Sequence, residues 1–200
     1  MKSIKVLLLS SLFLAFTGVI SVSNAQLPID FGIKAGVNLA NFSGTDADLD
    51  SRQAFVVGAS LDISLPMFPV GIESGVYYSQ KGVEPGPNTL KLDYIEVPVL
   101  AKLQFGPPGP FSPHVVAGPY VGFNITSEIE DNDGNTFELD DFINEVDFGG
   151  MLGVGADFNL GLTKLSAQVR YSMGLTPVYT DQLDDGERNA VLSVVVGVRF

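Results

Sequence analysis

The chain has 200 residues, of which 46% are hydrophobic, with 22 Gly, 12 Pro and a formal net charge of −12. Having no Cys and a single His, His114, it excludes thiol catalysis, disulfides and a lipid-modified cysteine anchor, and leaves little for His-based catalysis or a zinc centre. The acidic balance argues against nucleic acid as a partner, because phosphate binding needs a basic surface.

Residues 1–25 read as a secretory signal. Lys2 and Lys5 make a positive start, residues 6–20 are mostly apolar, and Ser23-Asn24-Ala25 sets small residues at positions −3 and −1 of a cleavage site. Cleavage before Gln26 leaves 26–200 as one domain and takes the formal charge from −12 to −14 with the loss of the two lysines.

No later stretch approaches the roughly 18 continuous apolar residues of a membrane helix. Alternation of period two follows instead, which places one set of side chains on each face of a strand. In residues 29–40, Ile29, Phe31, Ile33, Ala35, Val37 and Leu39 alternate with Asp30, Gly32, Lys34, Gly36 and Asn38. Residues 53–65 set Phe55, Val57, Leu61 and Ile63 against Gly58, Ser60 and Asp62. Residues 70–81 set Val70, Ile72, Val76 and Tyr78 against Gly71, Glu73, Gly75 and Lys81.

The fourth run, 90–105, changes phase: Leu90, Leu92 and Tyr94 share one parity, and Ile95, Val97, Val99, Ala101, Leu103 and Phe105 the other. A one-residue slip is what a β-bulge produces, and Pro98, which cannot donate to a ladder, is where that bulge is expected. Runs at 113–127, 146–160 and 164–175 alternate regularly. The last, 189–200, carries Ala190, Leu192, Val194, Val196, Val198 and Phe200 on a face with no polar residue.

The connections alternate in length. Residues 66–69, 106–112 and 161–163 are short, whereas 41–52, 82–89, 128–145 and 176–188 are longer and more polar. Short turns at one end and long loops at the other are the pattern of an outer-membrane barrel, with an even strand count and both termini on the short-turn, periplasmic side. The expected fold is therefore all-β: an eight-stranded antiparallel up-and-down transmembrane β-barrel. Phe31, Phe55, Tyr78, Phe105, Tyr171 and Phe200 on the apolar set make a modest aromatic girdle without Trp.

The opposite face collects Lys34, Asp62, Glu73, Lys81, Glu96, Lys102, Asp157, Lys164, Arg170 and Arg199. Eight strands leave an interior that side chains fill, and buried charges must be paired. A luminal ion-pair network of Lys34, Asp62, Glu73, Glu96, Lys102, Asp157, Arg170 and Arg199 is expected, in a filled lumen rather than an open pore. His114, at the start of the fifth run, is expected at a turn or interface.

Several segments resemble the outer-membrane β-barrel family of Bacteroidetes that includes PorT-type proteins. They are Phe31-Gly32-Ile33-Lys34-Ala35-Gly36-Val37-Asn38, Tyr77-Tyr78-Ser79-Gln80-Lys81-Gly82, Tyr94-Ile95-Glu96-Val97-Pro98 and Ala117-Gly118-Pro119-Tyr120. Arg170-Tyr171-Ser172-Met173-Gly174-Leu175 and the closing Gly197-Val198-Arg199-Phe200 complete the set. The resemblance implies an outer-membrane location and contact with outer-membrane lipid. It also implies Phe200 as a signal for the outer-membrane barrel assembly machinery, and envelope or secretion-complex proteins as partners. It implies no catalytic motif and no cofactor.

Two acidic loops, 128–147 and 180–188 with Asp181, Asp184, Asp185 and Glu187, present candidate cation sites. Asp131, Asp133 and Asn135, with Gly134, space their oxygens like the start of a calcium loop, but position twelve from Asp131 is Phe142 rather than Glu. A solvated loop is the simpler reading. The functional expectation is a non-enzymatic outer-membrane component with a structural or interaction role. The alternative is a small-solute channel or ligand-binding barrel using the charged lumen. An outer-membrane enzyme acting through a luminal acid such as Glu96 ranks last, since no Ser–His pair is signalled.

Overall fold

The computed structural model describes residues 29–44, 50–65, 68–84, 86, 88–106, 109–131, 133–139, 142–180 and 186–200. The signal segment expected at 1–25 lies outside them. The strands are β1 (Ile29–Ser43), β2 (Asp50–Ser64), β3 (Val70–Glu84), β4 (Thr89–Gln104), β5 (Phe111–Glu130), β6 (Thr136–Glu138), β7 (Val146–Asn159), β8 (Lys164–Gly174) and β9 (Arg188–Arg199). Each barrel strand pairs antiparallel with its neighbours in sequence, β1 pairs with β9, and β4 pairs with β5, so eight strands close into a ring. The short β6, which the sequence pattern does not announce, pairs only with the end of β5 above the ring. No helix among the described residues is long and apolar enough to cross a membrane.

β1, β2, β3 and β5 are longer than alternation alone implies, and the ring strands run from 11 residues in β8 to 20 in β5. A tilted strand crosses a bilayer in about 9 to 11 residues, so the longest strands project beyond it. They do so at the long-loop end, where β5 and β6 form a hairpin.

Closure is decided at the β1–β9 seam. It runs in continuous register from Gly32↔Arg199 to Ser43↔Arg188. Phe200 extends it, donating its N–H to the Phe31 carbonyl at 2.8 Å and accepting the Phe31 N–H at 3.2 Å. Outside the Leu90–Tyr94 stretch of β4, the aliphatic sets of the barrel strands face outward: Val37 is 57% exposed, Leu152 60% and Val196 57%. A continuous apolar band of this kind is not sustained on a water-soluble monomer. Its solvent is lipid.

β4 departs from expectation. Residues 90 to 102 at even positions all point inward without a change of phase, so no bulge lies at Pro98. The pairings on either side of it, Ser74↔Val99 and Tyr77↔Glu96, keep one register, and the Ser74 hydroxyl donates to the Pro98 carbonyl at 2.7 Å. The irregularity sits between Asp93↔Thr126 and Tyr94↔Asn124, where β5 carries the additional residue, Ile125. Beyond it Ser127, rather than Thr126, points inward. The apparent phase slip in the sequence reflects a change in chemistry along one face. Leu90, Leu92 and Tyr94 belong to the same inner face as Glu96 and Lys102, but to an apolar stretch of it.

Candidate functional site: the charged lumen

Three layers fill the interior, stacked from the short-turn end to the long-loop end. The first is a closed ring of ion pairs spanning the barrel. Lys102 on β4 holds Asp62 on β2 at 2.9 Å and Asp157 on β7 at 2.8 Å. Arg199 on β9 holds the same two acids, Asp62 through Nη1 at 2.6 Å and Asp157 through Nη2 at 2.5 Å. Opposite charges thus alternate around the lumen, each touching two of the other sign, and all four side chains are buried.

Above the ring, Glu73 on β3 is shared by Lys34 at 2.7 Å, Arg170 at 2.5 Å and Lys102 at 3.6 Å. Gln168 donates to Glu73 at 2.9 Å, accepts from Arg170 Nε at 2.7 Å, and directs its amide at His114 Nε2, 2.9 Å away. That contact makes His114 Nε2 the acceptor and leaves Nδ1 to face the Ser112 carbonyl and Asp157. His114 is therefore a buried member of the network, not a turn or interface residue. The alternation of β5 already pointed it inward; its solitary status gave no hint of what it would meet.

The second layer is centred on Lys81 of β3. Its ammonium pairs with Glu96 at 2.9 Å and Asp147 at 3.0 Å, and lies 4.9 Å and 4.6 Å from the ring centroids of Tyr94 and Tyr120. Tyr120 and Asn189 both donate to Asp147, at 3.2 Å and 3.0 Å. The eight residues expected in one network thus divide: seven form the lower group, while Glu96 belongs to this upper one. Lys81 and Asp147 are the partners it required. Lys34, Lys81, Lys102, Arg170 and Arg199 face Asp62, Glu73, Glu96, Asp147 and Asp157, so the formal charges of these ten paired side chains cancel. Such matching is what allows charges to remain buried.

Glycine makes room for the aromatic part of this layer. Tyr77 pairs across from Gly58 and Tyr120 from Gly149, each ring lying over the glycine opposite. A Cβ on Gly149 would meet the Met173 carbonyl oxygen at 2.3 Å and the Tyr120 ring at 2.6 Å.

The third layer is an apolar plug at the long-loop end. Phe42, Val83, Leu90, Leu92 and Tyr94 pack with Ile143 and Val178 from two loops. Those loops interlock over the opening. Ile143 and Tyr179 form a β-bridge, Asn144 N–H donates to Val178 O at 2.8 Å, and Thr180 N–H donates to Phe142 O at 2.9 Å. Burial raises the Tyr179 phenol above its ordinary pKa, and the nearby Glu187 adds to the rise.

The short-turn end is different. A cavity of about 480 Å³ lies there, floored by the ion-pair ring and walled by residues 63–64, 68–71, 104–106, 109 and 112 and by the strand ends. Lys164, expected on the luminal face, stands at its rim and holds Asp30 at 2.5 Å.

Asp131, Asp133 and Asn135 lie far from the lumen. Asp131 Oδ1 accepts the N–H groups of Asp133 and Asn135, both at 2.9 Å, and Asn135 Nδ2 donates to Oδ2 at 3.0 Å. These bonds lower the Asp131 pKa, the Asn135 side chain contributing most. The carboxylate serves as a cap for the turn at Gly134, whose φ is +80°. Among the described residues no three acids or histidines converge in a way that would hold a metal ion.

A family model described as "Outer membrane protein beta-barrel domain" matches residues 23–180. No curated protein matches the chain. Among solved structures, Neisserial surface protein A is similar with a TM-score of 0.56 at 17% identity, over 86% of this chain and 97% of that one. Ail, the attachment invasion locus protein of Yersinia pestis, gives 0.48 at 15% identity, over 86% and 98% of the two chains. The N-terminal β-barrel domain of Pseudomonas aeruginosa OprF gives 0.41 at 17% identity, over 84% and 96%. At these identities the likeness is one of fold.

Proposed function

The chain belongs to the outer membrane protein β-barrel domain family and is an outer-membrane protein, and from that premise we propose that it acts as a closed, non-enzymatic barrel whose working surface is its external loops. One observation carries this reading: two independent barriers cross the lumen, a charge-balanced ion-pair network and an apolar plug. The non-enzymatic part rests on how the luminal acids and His114 are occupied. Each acid has a cationic partner, and both His114 nitrogens face protein groups. The six segments named above support a finer placement, among PorT-type barrels of Bacteroidetes, with the barrel assembly machinery and envelope or secretion-complex proteins as partners. Crosslinking in native envelopes tests those partners.

Planar-bilayer recording tests the closed lumen. Folded, inserted protein is expected to give no stable conductance, and a reproducible open state overturns the reading. The alternative, a barrel that binds small ligands, has one feature in its favour: the cavity beneath the ion-pair ring.

A further inference from the structure

We infer that the cavity at the short-turn end is a binding site for a small zwitterion, an amino acid or short peptide bearing both an ammonium and a carboxylate. Short turns of such barrels face the periplasm, so the ligand enters from that side. The inference stands beside the closed-lumen reading rather than on it, because a dead-end pocket binds without transporting.

Size is the first argument. A volume of about 480 Å³ falls within the roughly 300–1,000 Å³ typical of small-molecule sites. Charge layout is the second. The floor is the alternating quartet of Asp62, Lys102, Asp157 and Arg199, held by ion pairs from four strands. The rim repeats both signs in the pair Asp30–Lys164, which is partly exposed. A free anion or cation meets as much repulsion as attraction on such a surface. A molecule carrying both signs at fixed separation finds a complementary partner for each.

Unsatisfied bonding capacity is the third. Among the buried polar atoms that form no hydrogen bond among the described residues, Asp62 Oδ2 and Arg199 Nε, an acceptor and a donor, belong to side chains that line this cavity. Buried polar atoms are ordinarily satisfied, so such exceptions call for an explanation. An ammonium near Asp62 and a carboxylate near Arg199 would supply both missing bonds. The wall formed by Phe68 and Phe105 accommodates an apolar side chain between the charged ends.

The test is isothermal titration of the folded, detergent-solubilised barrel with the dipeptide Ala-Phe. N-acetyl-Ala-Phe and Ala-Phe-amide, each lacking one charge, are titrated in parallel, as is free phenylalanine. Saturable binding of Ala-Phe or phenylalanine is expected, the tighter of the two distinguishing a peptide from an amino-acid source. Each capped dipeptide should bind about tenfold weaker or worse than Ala-Phe, as expected for the loss of one charge-assisted contact. The double variant Asp30→Ala/Lys164→Ala removes a partly exposed pair and leaves the buried quartet and the net charge intact. It should lower affinity about tenfold, while Lys91→Ala, at the opposite end, should not. Absence of saturable binding, equal binding of the capped dipeptides, or full affinity in the rim variant overturns the inference. Conductance measurements bear only on the closed-lumen reading, so failure of one is distinguishable from failure of the other.

Discussion

Gly149 and Gly150 are adjacent, yet their neighbours predict opposite tolerance to a methyl group. Gly149 faces inward, where a Cβ would collide with the Met173 carbonyl and the Tyr120 ring, whereas nothing lies within 4 Å of the position at Gly150. Overpacking of this kind costs about 1–3 kcal/mol. Gly149→Ala should therefore lower the urea midpoint of the micelle-folded barrel by a corresponding amount, and Gly150→Ala should leave it unchanged or slightly raised. Asp131 offers a second test at this scale. Its folded pKa is depressed by the hydrogen bonds it accepts, so its contribution to the turn is complete above the unfolded carboxylate pKa of about 3.9. That contribution is lost as pH falls below this value and through the depressed one. Amide exchange at Asp133 and Asn135, corrected for intrinsic rates, should accelerate across that acid window and stay flat above it.

At the scale of elements, the plug joins two loops distant in sequence. Ile143 is buried at the bridge with Tyr179, beside Val178. Ile143→Asp would place a charge in an apolar layer, where an unpaired carboxylate is strongly disfavoured. The lid should open, with faster exchange of the Asn144 and Thr180 amides, while the ring of strands below remains heat-modifiable. The same variant should still give no conductance, because the ion-pair layers beneath the plug are untouched. β4 shows how elements escape a reading by residue type. Its inner face runs from Lys102 and Glu96 to Tyr94, Leu92 and Leu90, charged where it meets other charges and apolar where the loops cover it. Polarity stands for orientation only while the environment on each side is constant along the strand.

The whole barrel depends on closing β9 against β1. Arg199 lies on that last strand, and its guanidinium is the second cation of a ring that also needs β2, β4 and β7. Losing one partner of a buried pair costs about 3–5 kcal/mol. Arg199→Gln should therefore shift the unfolding midpoint far more than removal of the partly exposed Lys91, which pairs with Glu130 at the far end. Phe200, 70% exposed yet paired to Phe31 through its backbone, contributes little to the packed lumen. Its deletion should leave the ion-pair ring intact and instead reduce the amount of protein inserted into the outer membrane, measured by membrane fractionation. Unchanged membrane levels would remove its role as an assembly signal.

Charge is partitioned at this scale as well. The ten luminal charges paired across the barrel cancel, whereas Glu128, Glu130, Asp131, Asp133 and Glu138 add acid at the long-loop end.

The sequence by itself determined the strand count of the ring, the outward face of the strands apart from the Leu90–Tyr94 stretch of β4 and the end of β5, the alternation of short turns and long loops, and the inward charges. These follow from local geometry: side chains alternate with period two whatever the strand is paired with, and turns declare themselves by length and polarity. Only the tertiary structure decided who meets whom across the lumen. The assignment of Glu96 to Lys81 and Asp147, the burial of His114 against Gln168, the displacement of the bulge from Pro98 to the Asp93–Tyr94 level and the apolar plug all depend on the relative stagger of strands around a closed ring. That stagger is a property of closure. It sets the height of every inward side chain, and no single strand carries it.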